Sequence, residues 1–416
     1  MQSLAWHSLS FDTWVFALLV SGYALAVTFR FNDAATGAVL LIVAFLCIAL
    51  YVRARRNLVR LGLVYLAVAG IAVAPMVVGI TMRRSTGPNQ FAHDGMIQTE
   101  EAAKFFVAGK NPYVENYLNT PLADWWLPSP VAVVNPAVYH LVYLPFAFVF
   151  PVPFLVLAQS TLGWFDLRLI FLPLFLVTLV LLPRFTASPA KQRALVLLFA
   201  LNPLFVPFLA EGRNDVVVLF WLVLSVALLQ ARHPVASAAA MACACATKQI
   251  AWFALPFYAL YFLKVYVCTG APDWRTVLRR ALLPFTAFLI LFAALVFPFF
   301  LWDSNAFVED VFRYPVGLSE HPYPIRSLGF GGFALALGWI ASDTAAFPFE
   351  RLQLLFGIPV LIGLLRFLCD RISISRLWIC CGILTFVISF FSRVFNDNYL
   401  GYLLNLALLG VIADDA

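Results

Sequence analysis

Apolar runs of about 20 residues recur along almost the whole chain, with short polar interruptions between them. A helix of about that length crosses the hydrocarbon core of a bilayer, which is roughly 30 Å thick. Of the 416 residues, 63% are hydrophobic and only 12% are charged, and a soluble domain could not keep so much apolar surface out of water. The sequence therefore predicts an all-α polytopic membrane protein.

About twelve transmembrane helices are predicted from these runs. Residues 1–29 lack the basic segment and the small-residue cleavage site of a signal peptide, so we interpret the first run as a span. The predicted spans are 11–29, 34–52, 61–81, 163–183, 194–210, 214–231, 234–248, 250–266, 280–300, 352–369, 377–393 and 397–413.

Basic residues concentrate in five of the polar interruptions, and the positive-inside rule places such loops in the cytoplasm. These loops are 53–60, 184–193, 231–233, 273–280 and 366–376. Both termini are then cytoplasmic, and the extracytoplasmic segments are 82–162, 211–215, 301–350 and 393–398. Two further apolar stretches, 133–157 and 328–341, must lie in the interface or re-enter it, with a kinked span as the alternative for the first.

Acidic side chains gather in the first outer loop, in "FAHDGMIQTEEAAKFFVAGKNPY" (91–113). The spacing of its apolar residues predicts a short amphipathic helix after Asp94. We interpret Glu100 and Glu101 as the solvated face of that helix, and Arg83 as a head-group anchor at the end of the third span. Asp94 precedes the helix and is a functional candidate beside a structural interpretation, since a loop charge in water costs little and position alone does not decide.

The stretch "HDGMIQTEEAAKFFVAGKNPY" (93–113) resembles the first outer loop of the GT-C membrane glycosyltransferases, most of all the polyprenyl-phosphate-mannose-dependent type, with its aspartate, short helix and "AGxxPY" ending. Four later segments are similar to family motifs in the same order. They are "VVNPAVYHLVYLPFAF" (133–148, a degenerate "YPP"), "EGRND" (211–215, "GQxD"), "ATKQIAWFALP" (246–256, "KPQ...LP") and "IRSLGFGGF" (325–333, "NQSLxG"). The proline between Lys248 and Gln249 is missing here.

The resemblance implies a GT-C-like catalytic module at 82–416, with outer loops 82–162 and 301–350, behind an N-terminal three-helix transmembrane segment at 1–81. It implies inverting transfer of a sugar, a mannose-like hexose or a pentose, from a polyprenyl-phosphate donor to an acceptor hydroxyl. The acceptor would be a lipid or a glycan at the extracytoplasmic face of a cytoplasmic or plasma membrane. Neither a metal nor another cofactor is expected, because the family generally does without one.

Asp94 is the expected general base, since an attacking hydroxyl needs one carboxylate within hydrogen-bond reach. Glu101 and Asp215 are its substitutes. Cations near the bilayer surface would stabilise the departing phosphate, and the candidates for this role are Lys248, Arg213, Arg326 and Arg393. Further expected substrate contacts are Gln249, Asn214, Asp215, Asp397 and Tyr399.

Simpler interpretations stand beside these. Lys248 is equally explained as a snorkelling lysine, Asp215 as a helix cap, and the turn at 396–399 as a turn alone. A transporter or lipid flippase, or a non-catalytic subunit of a membrane complex, is the alternative for the whole chain. A transporter predicts ionisable groups at mid-membrane and two repeated halves, neither of which the sequence has. Nucleic-acid binding has no support, because the basic residues mark topology and form no stripe.

Overall fold

A computed structural model describes residues 10–31, 34–125, 134–270 and 273–414 of the chain. Its regular structure is almost wholly helical. The α-helices are α1 (Phe11–Phe31), α2 (Ala34–Arg53), α3 (Asn57–Val68), α4 (Ala74–Thr86), α5 (Asp94–Val107), α6 (Phe146–Val149), α7 (Val152–Leu162), α8 (Arg168–Leu181), α9 (Pro189–Ala200), α10 (Val206–Ala210), α11 (Asp215–Gln230), α12 (Pro234–Thr247), α13 (Leu255–Phe262), α14 (Trp274–Trp302), α15 (Ser304–Val308), α16 (Tyr314–Val316), α17 (Phe330–Ala336), α18 (Phe349–Asp370), α19 (Ile374–Phe390) and α20 (Asp397–Ile412).

Shorter elements connect these helices. The 3₁₀ segments are Pro121–Asp124, Pro136–Val138, Leu182–Phe185 and Gln249–Phe253, and the π-helical segments are Ala69–Val73, Leu263–Val267 and Glu309–Arg313. Two strands, β1 (Arg326–Ser327) and β2 (Val394–Phe395), pair in parallel, with Arg326 opposite Val394. They join the second outer loop to the turn before α20.

Within the described ranges, four helices are long and apolar enough to cross a membrane by length and composition. They are Asn57–Thr86, which runs through α3 and α4, Arg168–Phe185, Trp274–Trp302 and Phe349–Asp370. Side chains such as Ile290, 70% exposed on α14, have no protein against them, which suits lipid and not water. The chain is therefore a multi-pass membrane protein, while the number twelve stays a prediction.

The span predicted at 194–210 is not one helix. α9 ends at Ala200 and α10 begins at Val206, because Pro203 has no amide hydrogen to continue the helix. The side chain of Asn202 satisfies the break: its Oδ1 accepts from the amide of Leu204, and its Nδ2 donates to Gly401 O at 3.0 Å and Asn405 Oδ1 at 2.9 Å. The break therefore docks against α20.

The two apolar stretches expected to stay out of the bilayer form short helices where they are described; residue 133 lies outside the described residues. Residues 146–162 hold α6 and α7, separated near Pro151, and 328–341 holds only the seven-residue α17. Each is shorter than the roughly 20 residues that a span requires. A kinked span at 133–157 stays an alternative.

Contacts between the loops show which of them lie at the same end of the helices. Arg193 Nη1 donates to Asn57 Oδ1 at 3.1 Å, which brings two of the basic loops together, and Lys191 pairs with Asp414 near the carboxyl terminus. The helix Asn57–Thr86 then runs for 30 residues, about 45 Å, to the other end. There Arg168 Nη1 donates to the carbonyls of Phe91 and Ala210, at 2.8 and 2.7 Å. The predicted outer loops thus share one end; which membrane face it occupies stays a prediction.

Candidate active site

A cavity of about 360 Å³ opens where the predicted outer loops meet. The start of α5, the segment before α6, the turn before α11 and the junction of α12 with its 3₁₀ turn line it, together with α16 and the turn before α20. Eight of the predicted site residues lie on its wall: Asp94, Arg213, Asn214, Asp215, Lys248, Gln249, Arg393 and Tyr399. Their positions along the sequence differ by up to about 300 residues, so packing alone gathers them.

Asp94 is the first residue of α5, and His93 is the residue that caps the helix. Its Oδ1 accepts from the amide of Gly95 at 2.6 Å and lies 2.8 Å from His93 Nδ1, while its Oδ2 accepts from Asn135 Nδ2 at 3.1 Å. Burial raises the pKa of this carboxyl, but the charge of His93 and these hydrogen bonds outweigh burial and lower the pKa to about 2. Asp94 is therefore ionised at neutral pH.

Lys248 follows the last residue of α12 and faces the cavity. Its Nζ donates to Asp215 Oδ1 at 2.7 Å and to Asn214 Oδ1 at 3.2 Å, and Asn398 Nδ2 donates to the other oxygen of Asp215. The lysine side chain is only 14% exposed, so the snorkelling interpretation is wrong. Asp215 is the first residue of α11, where an acid matches the helix dipole, so the helix-start interpretation and a role in the site both stay predictions.

Tyr143 connects the aspartate to the lysine. Its hydroxyl lies against Gly95, where a Cβ would overlap it, and its ring centre is 5.8 Å from Lys248 Nζ. The ring of Tyr399 covers the lysine from another direction, at 5.4 Å. Asp94 and Lys248 are thus about one tyrosine side chain apart.

Two arginines on the wall are engaged by other groups. Arg213 Nη1 donates to Asn398 Oδ1 at 2.7 Å and to Asp397 Oδ1 at 3.1 Å, which places Asp397 behind the arginine and off the wall. Arg393 is 1% exposed and donates to the carbonyls of Tyr323, Ala345 and Asp343. Its guanidinium holds the second outer loop against the turn before α20.

Besides Asp397, two more predicted site residues do not reach the cavity. Glu101 accepts from Lys104 Nζ at 2.6 Å further along α5, and Arg326 pairs through its backbone in β1. Neither is on the wall of the cavity.

The solvated face predicted for Glu100 and Glu101 is wrong. Glu100 is 4% exposed and binds Arg83 through both carboxylate oxygens, at 2.9 and 2.7 Å. Arg83, expected as a head-group anchor, is 6% exposed and also donates to Asp166 at 3.0 Å. The apolar periodicity of the segment gave no sign of this, because Arg83 approaches from α4 and Asp166 from the segment before α8.

Several wall residues were missed in the sequence. Asn135, which bonds Asp94 from behind the wall, and Tyr143 both lie in the degenerate "YPP" segment, which was the available signal. Tyr143, Tyr314 and Tyr323 line the cavity. The hydroxyl of Tyr314 and Nδ2 of Asn214 are buried without a hydrogen-bond partner among the described residues. Buried donors are normally paired, so these two indicate a surface that a ligand completes.

A second missed pair holds the roof of the cavity. His140 Nδ1 lies 2.9 Å from Asp310 Oδ1, the other oxygen of Asp310 accepts from the amide of Leu141 at 2.8 Å, and the ring of Tyr314 stacks on His140 at 4.5 Å. Burial raises the pKa of Asp310 to about 6, against the hydrogen bonds from His140 and Leu141 that lower it. Gln249 Nε2 donates to the carbonyls of Val142 and Val311, across the same contact.

Residues 103–264 match the family model described as alpha-(1->6)-mannopyranosyltransferase, N-terminal domain. The match confirms the resemblance to GT-C mannosyltransferases. It covers less than half of the chain and includes Arg213, Asp215 and Lys248, whereas Asp94 precedes its first residue. No curated protein and no solved structure gives a significant match. A mannosyltransferase-like enzyme suits a cavity whose polar groups come from outer loops and whose frame is a set of apolar helices.

Proposed function

We propose that this protein transfers a mannosyl residue from a polyprenyl-phosphate donor to an acceptor hydroxyl at the extracytoplasmic face, with inversion. The observation that carries the proposal is the placement of Asp94 and the Lys248–Asp215 pair on the wall of one cavity. The match to the mannosyltransferase family supports the sugar.

Asp94 is the general base of this mechanism. Its carboxylate is ionised and held by Asn135 and Gly95, so it is oriented before substrate arrives. The acceptor hydroxyl gives its proton to Asp94 as its oxygen bonds to the anomeric carbon of the donor. The bond from that carbon to the phosphate oxygen breaks on the opposite face, and its electron pair leaves with the phosphate.

Positive charge in the cavity receives the departing phosphate. Three cationic side chains, Lys248, Arg213 and Arg393, lie on the wall against two carboxylates, Asp94 and Asp215. Lys248 is held in place by Asp215 and Asn214 and keeps a hydrogen available for an incoming oxygen. A fixed cation beside developing negative charge lowers the barrier without reorganising in the step.

The apolar part of the wall suits a lipid carrier. Ile250, Phe253, Phe312 and Ile388 line the cavity beside its polar groups. Phe253 ends the 3₁₀ turn that precedes α13, and Ile388 lies in the last turn of α19; both helices are apolar. A phosphate that enters from the bilayer surface can therefore keep its polyprenyl chain against hydrocarbon.

The family description also suggests the linkage of the product. An α-(1→6) product formed with inversion requires a donor in which mannose is β-linked to the phosphate. We extend the proposal to this donor configuration, to an acceptor with a free primary hydroxyl, and to a transfer that needs no metal.

The test is transfer of labelled mannose by the purified protein from a polyprenyl-phosphate donor, followed by linkage analysis. We expect Asp94→Asn to lower the rate by about 10²- to 10⁴-fold, the usual contribution of a general base. Asp124→Asn, the same change at an exposed residue of the same outer loop, should leave the rate near that of the unmodified protein. Wild-type transfer by Asp94→Asn would remove Asp94 as base. Absence of transfer by the unmodified protein with mannose, other hexose and pentose donors would favour the transporter or subunit alternatives.

A further inference from the structure

A second cavity, of about 190 Å³, lies beyond the catalytic one along α5, and we name it the α5 cleft. Its volume is below the roughly 300–1,000 Å³ of pockets for drug-sized ligands, so it has room for one ring-sized group. Ile97, Glu101 and Lys104 line it from α5, and Trp164 lines it from the segment before α8.

The floor of the α5 cleft is closed to new hydrogen bonds. Arg83, Glu100 and Asp166 form it and are bonded to one another, and the Nε of Arg83 donates to the carbonyl of Pro88 at 2.8 Å. Side chains at the rim of the cleft keep hydrogen-bonding atoms free for a ligand. Glu101 uses one carboxylate oxygen on Lys104, whose side chain is 44% exposed.

Charge in the α5 cleft is balanced. Three cations, Arg83, Arg84 and Lys104, face three anions, Glu100, Glu101 and Asp166. An anionic ligand would gain little net attraction there, whereas a neutral, hydroxyl-rich one can donate to Glu101 and accept from Lys104. The indole of Trp164 adds an apolar surface, with the guanidinium of Arg84 5.1 Å from its ring centre. The indole N–H has no acceptor among the described residues. A carboxylate, an ammonium and an indole together suit a sugar ring.

The geometry of α5 relates this cleft to the base. Asp94 and Glu101 are seven positions apart on one helix, which returns them to nearly the same face about 10 Å apart along the axis. A ligand that bridges Asp94 and Glu101 would therefore span about 10 Å.

We propose that the α5 cleft binds a neutral saccharide unit of the acceptor glycan, at a distance from the unit whose hydroxyl attacks at Asp94. This inference rests on the proposed function. An enzyme with such a cleft should prefer oligosaccharide acceptors to a single mannose, because only the longer acceptors occupy both cavities.

The experiment compares kcat/KM for two acceptors with the same aglycone, an α-(1→6)-linked mannotetraoside and a mannose monoglycoside. We expect the unmodified protein to favour the tetrasaccharide, and Lys104→Met to reduce that preference about tenfold, the effect of losing one charge-assisted hydrogen bond. Trp164→Leu should reduce it too. Lys110→Met is the matched control, since Lys110 pairs with Glu115 outside both cavities, and should keep the preference.

Direct binding separates this inference from the proposed function. Tetrasaccharide binding is measured without donor on Asp94→Asn, and we expect Lys104→Met in that background to weaken it about tenfold. Equal binding with and without Lys104→Met, or competition by inorganic phosphate instead of saccharide, would overturn the cleft assignment and leave the catalytic one standing. Absence of mannose transfer by the unmodified protein, with binding intact, would overturn only the catalytic one.

Discussion

Asp94 and Glu100 are buried carboxylates on the same helix, 6% and 4% exposed, yet their surroundings differ. Both oxygens of Glu100 accept from Arg83, and one of them also accepts from the amide of Leu167 at 2.8 Å. Asp166 beside it is bonded through both oxygens to Arg168 and Arg83. Asp94 instead faces a cavity where Tyr314 and Asn214 leave buried donors unpaired.

The difference separates a carboxylate in a structural ion pair from the carboxylate that we propose as the base. A buried ion pair that is fully hydrogen-bonded offers nothing to a ligand and is destabilising to break. A wall with unpaired donors is costly until something occupies it, at about 1–3 kcal/mol for each group. Burial and charge therefore do not distinguish these two carboxylates, whereas their hydrogen-bond partners do.

The largest expected effect concerns the buried ion pair between Glu100 and Arg83. Arg83→Met leaves Glu100 buried without its cation, and Asp166 with one fewer, so the free energy of unfolding should fall by about 3–5 kcal/mol. Arg84→Met, at the next position and exposed, should cost under about 1 kcal/mol, the magnitude of its contact with Trp164. Thermal and denaturant unfolding in detergent measure both. Equal stability of the two variants would contradict the structural role of the buried pair.

Asp310 differs from both Glu100 and Asp94. It is buried and hydrogen-bonded, yet burial raises its pKa to about 6. A carboxyl whose pKa is higher in the folded state contributes stability that is fully present below its ordinary value of 3.8 and is lost as pH rises through about 6. Relative to Asp310→Asn, the unmodified protein should therefore lose on the order of 3 kcal/mol of stability between pH 4 and pH 7. Unfolding of both proteins across that range measures the difference. A flat difference would mean that Asp310 is as readily ionised as an exposed aspartate.

The smallest expected effect concerns Tyr314, whose unpaired hydroxyl is buried beside the larger cavity. Tyr314→Phe removes an unpaired hydroxyl, so stability should hold or rise slightly, while substrate KM should increase about five- to tenfold through one lost hydrogen bond. Tyr117→Phe is the matched control, because its hydroxyl donates to the carbonyl of Pro112 at 3.0 Å outside the cavity. That variant should lose about 1 kcal/mol of stability with KM unchanged. The same changes of stability and KM in both variants would show that the unpaired hydroxyl of Tyr314 has no ligand.

Much of the architecture followed from the sequence. Runs of apolar residues predicted the helices, and the basic loops predicted which loops share an end, because both properties are local. The helix after Asp94 appeared as α5, with the aspartate inside its first turn. The break at Pro203 was missed, although a proline in a predicted span is a local signal of one.

The amino-acid sequence by itself determined that the chain is a helical membrane protein and made Asp94, Lys248 and Asp215 candidate site residues, since composition and short motifs carry that information. Only the tertiary structure decided which charged groups are partners. Asn135 reaches Asp94 across 41 positions and Asp310 reaches His140 across 170. Such pairs depend on how helices pack, and no periodicity within one helix records them. For the same reason Glu100, which the sequence predicted to be solvated, is part of a buried ion pair, while Asp94 lies on the wall of the larger cavity.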